Sequence, residues 1–285
     1  SRARPLDPRS ERIRPAVSDT RRPSVPRLVL VPAALGITLF ALPVIGLVSR
    51  APWSDLASLI TDPAPRSALV LSVVTSLVTT AIALALGVPL ALVLARTRLP
   101  GRGVVLAVCT LSMVLPPVVA GVALLSALGR RGVIGRLLDE HLGLTIPFTP
   151  AAVVIAQLFV AMPFLVVTLD SALRSADRAP EEVARTLGAR PWRVLATVTL
   201  PSVRGALGAG AVLTWARAIG EFGATITFAG NLPGVTRTLP SETYLALQTD
   251  PGRAVLLSLL QVGVSLVVLL ALRHRWMPAL TGRRP

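Results

Sequence analysis

The sequence contains no lysine, one cysteine (Cys109), two histidines (His141 and His274) and a single tyrosine. A lone cysteine excludes an intrachain disulfide and a cysteine-cluster metal site. Two histidines far apart in the chain argue against a histidine metal centre. Cys109 lies inside an apolar run and reads as a small buried side chain. No metal, cofactor or catalytic residue is expected. The missing lysine excludes the most. The phosphate-cradling loop of P-loop ATPases needs Gly-x4-Gly-Lys followed by Ser or Thr, so any work driven by ATP requires a partner. Acids are scarce as well, 14 against 29 arginines, for a formal net charge of +15.

What the chain has in abundance is apolar surface. Of its 285 residues 53% are hydrophobic, and the mean hydropathy is +0.70. One soluble core of this size cannot bury so much, so the bilayer is the expected solvent. A basic pI also suits nucleic-acid binding. That reading needs a basic face on a soluble fold, whereas these arginines sit between apolar runs, and no nucleic acid is expected as a partner.

Six stretches reach the roughly 20 residues that cross a bilayer as a helix: Leu28–Val48, Ser67–Leu94, Val104–Leu128, Ala151–Leu169, Gly205–Ala229 and Ala254–Leu272. The expected fold is therefore an all-α polytopic membrane protein with six transmembrane helices in one domain, 28–272. Of the arginines, 21 fall in 1–27, 95–103, 171–204 and beyond 272, against 7 in 49–66, 129–150 and 230–253. Arginine marks the cytoplasmic side, which places both termini there. The segment 1–27, with eight Arg and five Pro, is expected to be a disordered cytoplasmic tail, and 273–285 a second tail. Arg21-Arg22 before an apolar run suits a twin-arginine export signal. Pro23, Pro26 and five further spans favour an uncleaved first span. Prolines inside the spans (Pro32, Pro43, Pro89, Pro163 and the pair Pro116-Pro117) predict kinks, sharpest at the pair, which either borders a pathway or bends the helix for packing.

The loop 171–204 is the most specific segment. Pro180 suits the start of a helix whose positive end Glu181 and Glu182 complement. Val183, Ala184 and Leu187 give a narrow apolar stripe, and Gly188 can end the helix. A second short helix is expected from Trp192 to Thr199, closed off by Pro201. Two short helices at a glycine bend make a compact cytoplasmic knob; the plainer alternative is an amphipathic hairpin on the membrane surface.

The spacing Glu182-Val183-Ala184, three residues, Gly188, nine residues, Val198-Thr199-Leu200-Pro201 resembles the Glu-Ala-Ala loop of binding-protein-dependent ABC permeases, with Val exchanged for the second Ala and for Ile. The resemblance implies that Glu182, Val183, Ala184, Gly188, Leu200 and Pro201 belong to a coupling element that docks on a separate ABC ATPase subunit. Arg217 through Thr225, Ala229-Gly230-Asn231, Thr236 through Pro240 and Leu115 through Val119 are similar to the molybdate permease branch. Sulfate and thiosulfate permeases share part of the Gly-Glu-Phe-Gly stretch. The family implies the type I importer fold, a homodimer of two permease copies, a bacterial inner (cytoplasmic) membrane location, and an extracytoplasmic oxyanion-binding protein. That protein would dock on the outer loop 230–253 around Asn231, Arg237 and Pro240, where Ser241–Gln248 is expected to form a short helix capped by Ser241.

A passive anion channel or membrane structural protein would carry no cytoplasmic docking motif. A membrane-embedded enzyme would cluster His, Asp or Glu within its spans. Only Glu221 lies clearly inside one, four residues after Arg217. This pair is expected near the middle of the fifth span, either satisfying itself as an i,i+4 ion pair or lining the pathway with Pro116 and Pro117, where Arg217 would attract a dianion.

Overall fold

The computed structural model describes residues 26–271. Both expected tails, apart from Pro26 and Arg27, lie outside the described residues. The chain divides after Gly46. The first unit is carried by helix α1 (Arg27–Arg50), which continues unbroken through Pro32 and Pro43 into the start of the second. It is apolar on every side, with Leu28, Ile37 and Phe40 at least 70% exposed, the surface of a helix that meets lipid.

In the second unit every regular element among the described residues is helical. A short turn and α2 (Leu56–Thr61) lead into α3 (Pro63–Arg96), whose N-terminus is capped by Asp62 accepting from the Ala64 amide. Next come α4 (Arg102–Val114), α5 (Pro117–Leu128), α6 (Gly135–Leu142) and α7 (Pro150–Ser175), the last capped by Thr149. The knob comprises α8 (Ala179–Thr186), α9 (Pro191–Val194), a π-helical turn (Leu195–Thr199) and a final turn α10 (Leu200–Ser202). The described residues continue through α11 (Arg204–Ile219), α12 (Gly223–Ala229), α13 (Leu239–Thr249) and α14 (Pro251–Ala271).

Helices α1, α3, α7 and α14 are each long and apolar enough to cross a bilayer without a break. The other two expected spans are split. In the third, Pro116 and Pro117 remove two amide donors and push their predecessors out of helical geometry. Leu115 and Pro116 turn extended, with ψ 132° and 134°, and the helix restarts at Pro117. In the fifth, Gly205–Ala229 is not one helix. The Glu221 carboxylate accepts the Ala224 amide at 2.8 Å and so caps a new helix instead of letting the old one continue.

Helix α7 is the central post, packed against α3 on one side and α11 on another. The approach is close because small residues face it. A Cβ built on Gly210 would sit 2.9 Å from Leu165, and one on Gly87 3.2 Å from the same side chain. Small residues let helices meet backbone to backbone where lipid supplies no hydrophobic drive for association. Three apolar clusters hold the unit: Ala120, Val153 and Phe228 typify one between α5, α7 and α12, Leu94, Leu169 and Val203 a second toward the knob, and Leu59, Leu239 and Leu257 a third. The packed interior also contains polar bonds. The Gln157 amide reaches Thr75 at 3.2 Å and accepts from Thr79 at 2.9 Å, while Ser72 accepts the Leu239 amide at 2.7 Å.

Candidate functional site

The knob is built as the glycine spacing requires. Gly188 sits at φ +80°, a conformation that side chains with a Cβ resist. Its amide donates to Arg185 O and the Ala189 amide to Ala184 O. These two bonds close the end of α8 by a Schellman motif and turn the chain toward α9. The stripe expected on α8 faces out: Val183 is 58% exposed, Leu187 82% and Trp192 of α9 77%. Glu182 and Pro201 are exposed, and Ala184 and Leu200 are half-buried.

Two local expectations change. Pro201 does not close the second helix. A proline here crowds the carbonyl four residues back, and the wider π turn ahead of it lets the helical path run on to Ser202, after which the chain bends by 74° into α11. Glu181 does not simply complement the helix end. It is 6% exposed, and its Oε1 accepts from Arg96 at 2.7 Å and from Thr199 at 3.0 Å. Nothing in the sequence distinguished it from Glu182, its exposed neighbour.

A second unforeseen cluster lies beside it. Asp170, 6% exposed, pairs with Arg102 at 2.9 Å and with Arg174 at 3.1 Å. Both arginines also donate to Leu94 O, at 2.9 and 2.6 Å. The cluster thereby satisfies a carbonyl in the last turn of α3, where a helix leaves acceptors unpaired.

The breaks of the third and fifth spans meet. Gly223 packs so tightly that a Cβ there would fall 2.6 Å from Pro117 Cβ, and α5 lies along α12. Arg217 is in the last turn of α11, not mid-helix as expected, and its Nη1 pairs with Glu221 Oε2 at 2.6 Å. Glu221 is 1% exposed and satisfied on both oxygens, whereas the Arg217 side chain keeps 29% of its surface open. Phe222 stacks at a tilt on Tyr244 with ring centroids 5.0 Å apart, tying the break to α13.

In the loop 230–253, Asn231 and Arg237 are turned inward. Arg237 Nε donates to Asn231 Oδ1 at 3.1 Å and Nη1 to Glu242 at 3.2 Å. Arg253 extends the chain of charges to Asp62 at 2.7 Å. The Ala64 amide and the Arg253 guanidinium hold the Asp62 carboxyl below its ordinary value. Pro240 is half-buried in the first turn of α13, which starts at Leu239 after Thr238; Ser241 is buried inside that helix and is not its cap. The residues left open at the loop tip are apolar: Leu232 at 45% and Val235 at 41%.

Comparison with known proteins follows the same lines. Residues 87–283 match the family described as binding-protein-dependent transport system inner membrane component. The molybdenum transport system permease protein of Mycobacterium tuberculosis is 50% identical over 253 residues, 88% of this chain and 95% of that protein. A sulfate transport system permease of Synechocystis is 38% identical over 215 residues, 74% of this chain and 77% of its own. Among solved structures, a bacterial ABC transporter involved in import of the acidic polysaccharide alginate superposes with a TM-score of 0.70 at 18% identity, covering 87% of this chain and 93% of that one. That likeness shows the shared helical permease fold. The chain is a multi-pass membrane protein and belongs to the family of binding-protein-dependent transport system inner membrane components.

Proposed function

We infer that this chain is the membrane-spanning subunit of an ATP-driven importer that carries molybdate, and with it the isosteric tungstate, into the cytoplasm. The observation that carries the substrate is 50% identity along 88% of the chain to a molybdenum transport system permease; sulfate permeases are more distant. ATP hydrolysis falls to a partner, since a chain without lysine holds no P-loop. The partner's landing place is the knob, where Val183, Leu187 and Trp192 present apolar surface that a soluble face would not leave uncovered. By the arginine asymmetry the knob and both termini lie in the cytoplasm of a bacterial cell, beneath its inner membrane. Two copies enclose the pathway at the paired breaks around Pro116, Pro117, Arg217 and Glu221. Arg217 supplies a cation and Glu221 partly offsets it, so the anion is attracted without being trapped. The binding protein meets the outer loop tip at Leu232 and Val235, with Asn231, Arg237 and Pro240 holding that loop in shape.

Vesicles containing the chain, its ATPase and its binding protein test this reading. ATP-dependent molybdate uptake should be inhibited more by tungstate than by sulfate. Preferential sulfate uptake would overturn the substrate, and uptake without the ATPase would indicate a passive channel.

A further inference from the structure

Arg96 occupies an unusual position at the last residue of α3. Its Nη2 donates to Glu181, while Nε and Nη1 are buried without a hydrogen-bond partner. A buried guanidinium held at one point is costly to keep, and what it holds is the knob. Glu181 Oε1 receives both Arg96 and Thr199, and Oε2 lies 4.0 Å from Arg185. The end of α3, the first turn of α8 and the π turn thus converge on one carboxylate. Among the described residues, Arg96–Glu181 is the only side-chain hydrogen bond that joins 179–202 to α3, α4 or α7.

The covalent connections of the knob are poor transmitters. Ala176, between α7 and α8, is extended with ψ 139°, and Val203, at the 74° bend before α11, leaves helical geometry with φ −109° and ψ 15°. Both are joints. By contrast, the end of α3 is stiff, because Arg102 and Arg174 clasp Leu94 O two residues before Arg96.

We propose that Glu181 and Arg96 form a strut that carries displacement of the knob into α3, converting movement of the ATPase into transport. Glu181 is a positioning residue that acts through Arg96; Glu182 beside it faces outward. The proposal rests on the importer reading above. Its readout is molybdate taken up per ATP hydrolysed, measured in the same vesicles, which loss of folded protein alone would not change.

Glu181→Gln and Arg96→Gln should still co-purify with the ATPase yet lower that ratio by about tenfold, within the usual range of coupling between sites. Thr199→Val removes one bond and no charge, so it should lower the ratio less and remains interpretable if the charge variants fold poorly. The reversed pair Arg96→Glu with Glu181→Arg should recover the ratio, because the Thr199 hydroxyl can accept as readily as it donates. An unchanged ratio in Glu181→Gln or Thr199→Val would overturn the strut. So would a reversed pair that assembles with the ATPase but couples as badly as the single variants. Absence of molybdate uptake by the wild-type complex would instead count against the importer reading.

Discussion

Replacing Glu221 by leucine removes two interactions at once. The carboxylate is 1% exposed and caps α12 through the Ala224 amide; loss of such a cap costs about 1 kcal/mol. The same side chain neutralises Arg217 at 2.6 Å. Stranding one member of a buried ion pair costs about 3–5 kcal/mol. Since Arg217 keeps 29% of its side chain open, the lower end applies, and with the cap Glu221→Leu should lose roughly 4 kcal/mol in total. Glu221→Gln keeps an acceptor for Ala224 and should lose less. Adding Arg217→Gln to Glu221→Gln should restore most of the deficit, since no lone charge then remains. For a chain of this size about 4 kcal/mol shifts a thermal midpoint on the order of 10 °C, readable from unfolding of the purified permease in detergent. The transport assay then separates roles. If Arg217 attracts the anion, the double variant is stable and transports poorly; if the pair is only structural, it is stable and transports normally. A Glu221→Leu permease as stable as wild type would refute the reasoning about both cap and pair.

Gly188→Val should insert normally and lose transport. No atom lies within 4 Å of a Cβ at Gly188, so the cost is that of the left-handed backbone itself, roughly 1–2 kcal/mol and more for a β-branched residue; Gly188→Asn should retain transport, and full transport by Gly188→Val would show the turn to be dispensable. Asp139 governs the loop after α5 in acid. The Arg130 and Thr145 hydrogen bonds hold its carboxyl below the ordinary 3.8, so its contribution is present above that value and lost as the pH falls through the lower folded one. A spin label at exposed Val133, introduced in a Cys109→Ala background, should gain mobility below about pH 4. It should not respond to pH in Asp139→Asn, and an equal acid response there would exclude Asp139 as the cause.

Helices were legible in the sequence where apolar length decides, as in α3, α7 and α14, and so was the break at Pro116-Pro117, where a missing donor leaves no alternative. The break at Gly220–Phe222 was hidden because it depends on where one side chain turns. Glu221 reads as a charge interrupting a span until its carboxylate is seen on the Ala224 amide. Gly188 was readable because only glycine takes φ +80° cheaply. Glu181 and Asp170 were not, since their partners Arg96 and Arg102 lie 85 and 68 residues away, and pairing at that range is settled by packing alone. Arg237 was expected among the docking residues of the outer loop, yet its donors are spent on Asn231 and Glu242.

The amide of Gln157 grips Thr75 and Thr79, residues one turn apart on α3. A single bond would let α3 roll or slide along α7, whereas two bonds a turn apart from one planar group fix both rotation and register. Moving α3 on by one residue would turn both hydroxyls about 100° away from the amide, whose own donor and acceptor would then be left unpaired in the packed interior. The Gln157 amide thereby ties α7 to two successive turns of α3. Because α3 is one helix from Pro63 to Arg96, 34 residues in all, the Gln157 anchor and the Glu181 contact sit on the same element.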